Sequence, residues 1–315
     1  MSAAPTTNNS TAPSRHARSF DRHVAPRPTA NSTALPDHPL ANRRLEPGEG
    51  AIVLRRVREK TSIVRAEGAN PLKLMIPRRR VAVPRIYISS YGGGLLAGDE
   101  TRIHLHAEPG TRSVLTTQAS TKIYKNPRGL PCGQTLDARI DADAIFVLAP
   151  EPISCFANSH YDQVQRFDVA EGGNLVIVDW MTSGRYEVGE RFQFNHYYSR
   201  QSIHEDGRHI LEDATRLDNA DGPLDGPFRM GRFNCLATMI ILGPRFREVI
   251  DQLLERERRE NLNPGGAILA VAQPLSQGVL IRILSESTQD AKLYFDRIFE
   301  KIDPIIGASA WAGKL

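Results

Sequence analysis

The densest run of residues that could do chemistry is Ser89-Ser90-Tyr91-Gly92-Gly93-Gly94-Leu95-Leu96-Ala97-Gly98-Asp99. Gly92, Gly94 and Ala97 satisfy the G-x-G-x-x-A spacing of a dinucleotide-binding turn, where glycines let the backbone approach a pyrophosphate. That chemistry needs a helix directly after the glycines, so that its N-terminal N–H groups meet the anion. The chain continues instead with Thr101-Arg102-Ile103-His104-Leu105-His106-Ala107, which alternates polar and apolar residues and reads as a strand. A P-loop is served worse: Asp99 stands where the phosphate-binding lysine belongs, and a carboxylate there repels the anion. A dinucleotide-dependent enzyme built on Gly92–Ala97 is therefore kept as the alternative function. The local reading is a tight crossing between two chain segments, with positive φ at some of the glycines.

Metal chemistry has weaker candidates. His104 and His106 lie two apart on one strand, so both imidazoles leave the same face roughly 7 Å apart. They could offer two ligands to a divalent ion such as nickel, or simply form a wet polar face. Asp179, in Leu175-Val176-Ile177-Val178-Asp179-Trp180, shares its face with Leu175 and Ile177. A buried carboxylate must neutralise or find a partner. Arg185 is the nearest candidate in sequence, and a carboxylate lining a hydrated cavity is the other reading. Glu151, between two prolines, and Glu190, after Gly189, are milder cases. Cys132, Cys155 and Cys235 are odd in number and widely separated, which argues against a disulfide framework or a zinc knuckle and for reduced, buried thiols. No G-x-S-x-G elbow is present.

These residues need elements to hold them. From Gly50 to about residue 215 the pattern is short strands of period two, broken by acidic-glycine turns about 30 residues apart. Glu108-Pro109-Gly110 and Glu171-Gly172-Gly173-Asn174 are such turns, and Asp206-Gly207 is a hairpin signal. Two strands per unit, stacked in layers, account for the spacing. Two helices are predicted near the C-terminus. One runs from Pro244 to about Asn261; the other opens at the capping box Ser287-Thr288-Gln289-Asp290 and stops before Pro304, with two strands between the helices. The fold class expected is mainly β, a layered β-helical stack of many short strands with two helices near the C-terminus. Residues 46–315 are read as a single domain.

Residues 1–45 are read as a disordered extension, rich in Ser, Thr, Ala, Asn and Pro. Residues 1–44 carry six arginines against two aspartates, the whole of the chain's formal excess of +4. The pI near 9.0 is thus a property of the extension, and a balanced body has little general attraction for nucleic acid. Arg78-Arg79-Arg80 is a local basic spot without an aromatic stacking ladder. Prolines at 5, 13, 26 and 28 would interrupt any amphipathic transit helix. No apolar run approaches the roughly 18 residues of a membrane span, and the start lacks the apolar middle of a secretory signal. A cytoplasmic location is expected, with no membrane partner.

Four runs, taken in order, carry a resemblance. They are Ser90–Asp99, then Thr116-Thr117-Gln118-Ala119-Ser120-Thr121-Lys122-Ile123-Tyr124, then Pro150-Glu151-Pro152-Ile153, and finally Asp179-Trp180-Met181-Thr182-Ser183-Gly184-Arg185 with Gly189-Glu190-Arg191-Phe192. The sequence resembles the urease accessory protein UreD family (UreH in some bacteria), and the likeness extends through Gly278-Val279-Leu280-Ile281-Arg282. The resemblance implies a β-helical stack without catalytic activity. It implies binding to the urease apoprotein and to a UreF-like accessory protein, which recruits a UreG-like GTPase carrying nickel. It also implies an internal water-filled tunnel by which nickel reaches the urease active site. No cofactor would be held permanently; nickel would be in transit. Clustered imidazole or thiolate would trap nickel, whereas single hydrated carboxylates would pass it on. The route candidates are Asp99, Asp179 and Glu190, and after them Glu151 and His104.

Overall fold

The computed structural model describes residues 43–77, 81–259 and 265–311. Most of the predicted 1–45 extension and Arg78-Arg79-Arg80 lie outside these residues.

The chain opens with the hairpin β1 (Glu49–Val57) and β2 (Lys60–Gly68), then β3 (Leu72–Met75) and β4 (Arg85–Ser90). The expected strand after the glycines is β5 (Glu100–Ala107), and β6 (Arg112–Thr117), the short β7 (Thr121–Ile123) and β8 (Cys132–Ile140) come after it. Next come β9 (Ile145–Leu148), the short β10 (Ile153–Cys155), β11 (His160–Val169) and β12 (Asn174–Thr182). The hairpin β13 (His196–Glu205) and β14 (Arg208–Asp218) precedes β15 (Cys235–Leu242) and α1 (Arg247–Arg259). The chain ends with β16 (Ile268–Leu275), β17 (Gly278–Ser285) and α2 (Thr288–Ile306).

Each turn of the chain gives one strand to each of two facing sheets. β5, β8, β11 and β13 run parallel side by side in the first; β4, β6, β9 and β12 do so in the second. The result is the expected stack, a β-solenoid of about four turns. Its turns stack as rungs. Gly110 donates its N–H to Ala142 O and Asp143 donates to Gly172 O, with Gly110 at φ +67 and Gly172 at φ +78. Glycine adopts that left-handed backbone at no steric cost. Asp206 and Gly207 take positive φ as a two-residue hairpin requires. They fold β14 back antiparallel, which ends the parallel ladder of the first sheet at that edge.

The space between the sheets holds one apolar cluster, including Ile52, Leu105, Phe146, Phe167, Ile177 and Ile203. The far side of the second sheet is covered by α1 and α2, whose Leu253, Phe295 and Ile302 pack, with Phe246 from the turn before α1, on Val178, Trp180 and Met239. Trp180 meets Phe295 edge to face, ring centroids 5.6 Å apart. The capping box holds: Ser287 Oγ accepts from the Asp290 N–H at 3.1 Å. The predicted stop before Pro304 does not hold, because α2 runs on to Ile306. So near the end, proline forfeits a single backbone bond. The helix stops instead where Gly307, at φ +85, donates its N–H to Asp303 O. No described helix is long and apolar enough to cross a membrane.

Candidate functional site

Partway along the strands, the lining between the two sheets changes from apolar to polar. In the first sheet Leu105, Ala138, Phe167 and Ile203 form one apolar row across neighbouring strands. The next inward row is Leu136, Gln165, Gln201 and Asp213, and the next is Thr101, Gln134, Gln163 and Ser199. Beyond them Tyr161 and Tyr197 belong to a second apolar cluster with Cys132, Met181 and Phe194. From the opposite sheet Asp179, Thr238 and Arg282, partners across β12, β15 and β17, meet the same layer. A polar layer therefore runs along the stack between two apolar ones.

Asp179 is its centre, buried at 8 % exposure. Its Oδ1 accepts from Gln163 Nε2 at 2.9 Å and its Oδ2 from Ser199 Oγ at 2.6 Å. Tyr161 Oη donates to Gln163 Oε1 at 3.1 Å, and Arg282 donates to Asp213 at the layer's edge. Among the described residues, no protein donor reaches the buried Gln165 Oε1 or Gln201 Oε1. At the glycine end, Thr101 and Gln134 line both a cavity of about 110 Å³ and one of about 430 Å³. The smaller is walled by Ser90, Gly93, Gly94, Gln118 and Ser120, residues of the first two runs that carry the family resemblance.

The glycines serve as the crossing expected of them. A Cβ on Gly94 would lie 2.4 Å from Lys122 O, while Gly93 and Gly98 take φ +68 and +89. With β5 rather than a helix after Gly98, the dinucleotide reading of Gly92–Ala97 loses its structural requirement.

The five route candidates are dispersed. Only Asp179 lies in the polar layer. Asp99 accepts from the Leu96 N–H at 2.8 Å and shapes the turn before β5. Glu151, after β9, donates its backbone N–H to Thr117 Oγ1. Glu190 sits in the loop after β12, where it accepts from Arg185 Nε at 2.9 Å and from the Ala157 N–H. The Arg185 guanidinium holds the Glu190 carboxyl below its ordinary range. The suggested Asp179–Arg185 pair is thus corrected: the chain turns at Gly184, φ +110, and carries Arg185 outward to Glu190. His104 faces away from the layer, its Nδ1 3.7 Å from Asp137 Oδ2, and burial pushes its imidazole down. His106 Nε2 lies 2.8 Å from Asp141 Oδ2. The three cysteines are free and buried as expected, and burial pushes Cys132 and Cys235 up to about 12, which disfavours the metal-binding thiolate.

Gln163, Gln165, Ser199, Gln201 and Asp213 belong to no motif that marks them in sequence, although a signal exists. β11 reads Tyr-x-Gln-x-Gln-x-Phe from Tyr161, and β13 reads Tyr-x-Ser-x-Gln-x-Ile from Tyr197. The same polar pair sits in the same phase between the same kinds of apolar residue.

Burial raises the Asp179 carboxyl above its ordinary value of 3.8; donation from Ser199 and Gln163 offsets only part of this. Because the folded value exceeds the unfolded one, the protonated acid's contribution to stability is present below the ordinary value. It is lost as pH rises through the folded value. Asp179→Asn keeps the shape without the charge. Thermal melts from acid to neutral pH are expected to show the variant's Tm gaining on the unsubstituted protein's, by about 2–4 °C per kcal/mol. A gap that stays constant with pH would show that Asp179 titrates normally.

Residues 46–312 match the family described as UreD urease accessory protein. Urease accessory protein UreD of Sorangium cellulosum (strain So ce56) is 38% identical over 286 residues, 88% of each chain. That of Anaeromyxobacter sp. (strain Fw109-5) is 36% identical over 270 residues, covering 85% of this chain and 90% of its own. Urease accessory protein D of Oryza sativa subsp. indica is 31% identical over 287 residues, covering 82% and 94%.

Proposed function

Since the chain belongs to the UreD urease accessory protein family, we propose that it is a non-catalytic scaffold that helps deliver nickel to apo-urease through its polar interior. The observation that carries this reading is the polar layer of Thr101, Gln134, Gln163, Ser199 and Asp179, buried except at the half-buried Gln134 and flanked by apolar clusters. A protein that needed only stability would fill such a space with apolar side chains, because each unpaired buried polar group costs about 1–3 kcal/mol. Two buried amide oxygens without a protein donor are groups that water satisfies.

The layer's chemistry suits passage better than storage. Amides, hydroxyls and two carboxylates, of which Asp213 is already paired with Arg282, are weak, singly placed ligands for nickel(II), which clustered imidazole or thiolate would hold far longer. A carboxyl whose value is raised by burial binds a cation in competition with a proton, which exchanges with water as the cation arrives and leaves. Asp99, Glu151 and Glu190, in the loops that stack beside the glycine crossing, are proposed as acids at that end of the route; His104 faces the other side of its sheet. The partners proposed are the urease apoprotein and a UreF-like protein, with a UreG-like GTPase recruited through the latter.

Co-expression with these partners and urease, with pull-down and metal analysis, tests the reading. The expected result is a stable complex containing this chain, and urease with background nickel when the chain is omitted. Full activation of urease in cells lacking the chain would end it.

A further inference from the structure

The outward side of β11 carries a different cluster. His160 and His196 are partners across β11 and β13, and their imidazoles stack with centroids 4.4 Å apart. Asp162, two residues on and so on the same face, lies between them. Its Oδ2 is 3.4 Å from His160 Nε2 and its Oδ1 3.3 Å from His196 Nε2. One ligand atom from each residue falls within 4.8 Å of the other two. Around a tetrahedral ion with bonds of about 2.0–2.1 Å, neighbouring ligand atoms are about 3.3 Å apart. The two carboxylate–imidazole distances have that length, each to a different oxygen of Asp162. A carboxylate bound through both oxygens keeps them, and the imidazole–imidazole edge closes by rotating a ring about its soft terminal torsion.

Two further features point to a ligand. His196 Nδ1 lies 2.9 Å from Asp218 Oδ2 on β14. With Nδ1–H donating to that carboxylate, the lone pair is on Nε2, on the side of Asp162, as in carboxylate–histidine–metal arrangements. Next to Asp162 the register position on β8 is Gly133, where a Cβ would lie 2.9 Å from Asp162 O. With no side chain there, Asp162 borders the cavity of about 430 Å³ together with Glu49 and Glu100. Through Asp162 the cluster has one side on a space lined by Glu46, Glu49, Glu100 and Arg102. Arg216, in the adjacent register row, is held by Asp221, and Arg229 is held by the backbone carbonyls of Asp218, Asp221 and Gly222.

We propose that His160, Asp162 and His196 form a binding site for one divalent transition-metal ion, with Asp218 orienting His196 and the fourth position open to the cavity. Two imidazoles and a carboxylate select zinc, nickel or copper over magnesium or calcium. The site lies on the opposite face of β11 from Gln163, and none of its ligands belongs to the polar layer.

Titration of the full chain with Zn²⁺ alone and Ni²⁺ alone, read by calorimetry and by X-ray absorption, tests this. The expected result is one equivalent bound, with two imidazole nitrogens in the first coordination sphere. His196→Ala and His160→Gln should each weaken binding by about tenfold or more, and Asp218→Asn by a similar factor although it touches no metal. His209→Gln, which removes an exposed imidazole at the far end of the β13–β14 hairpin, should leave the affinity within about twofold. Circular-dichroism melts of each variant separate loss of ligand from loss of fold; His160→Gln, on the solvent side of the cluster, is the gentlest of them. No stoichiometric binding by the unsubstituted chain would overturn the site. So would unchanged affinity in folded His160→Gln and His196→Ala.

Discussion

Gly94→Ala is expected to cost about 3 kcal/mol or more, Gly93→Ala about 1 kcal/mol, and Gly92→Ala close to nothing. All three glycines are consecutive, so a merely flexible loop would treat them alike. A Cβ at Gly94 would meet Lys122 O at 2.4 Å, Tyr124 Cε2 at 2.7 Å and Lys122 Cβ at 2.9 Å. Two of these atoms belong to the main chain or lie next to it, so the segments must separate. Separation would break the bonds from Leu95 N–H to Lys122 O and from Tyr124 N–H to Leu95 O, and would lift Leu95 out of the cluster it shares with Ile123 and Cys155. Gly93 has open space around it but φ +68, so alanine there meets only backbone strain. Gly92 has neither constraint beyond a contact at 3.9 Å. Denaturant melts of the three variants give the order directly. Equal costs at 92, 93 and 94 would refute the crossing.

The features readable in the sequence are those decided by neighbours along the chain. The alternation of 101–107 marks β5, Asp206-Gly207 marks the β13–β14 hairpin, and Ser287 to Asp290 marks the start of α2, because each depends on a few adjacent residues. The polar layer depends on which strands become neighbours. In His160–Val169 both faces carry polar side chains: His160 and Asp162 on one, Gln163 and Gln165 on the other. Only stacking decides that the second pair is interior and the first pair meets solvent. Linear proximity misleads at Arg185 for the same reason. Six residues separate it from Asp179 in sequence, but the positive φ of Gly184 turns it toward Glu190. The three-residue constellation His160, Asp162 and His196 is equally hidden, since its two histidines approach only through the parallel register of β11 and β13.

Asp179→Asn is expected to lower the nickel content of co-expressed urease several-fold while leaving the yield of the partner complex unchanged. The amide can still accept from Gln163 through its oxygen and donate to Ser199 Oγ through its nitrogen, so the layer's geometry survives and only the charge is removed. Asp179→Ala is the harsher change. It strands the donors of Gln163 and Ser199 in a buried site, which costs about 1–3 kcal/mol of stability, and is expected to lower nickel content with some loss of folded protein. Comparing the two separates charge from structure. If the carboxylate guides the cation, the asparagine variant assembles normally and delivers poorly. If Asp179 only ties β12 to β11 and β13, asparagine delivers as well as aspartate while alanine fails at assembly, and the interior passage loses its central residue. Metal analysis of urease, normalised to the amount of complex recovered, distinguishes the two outcomes.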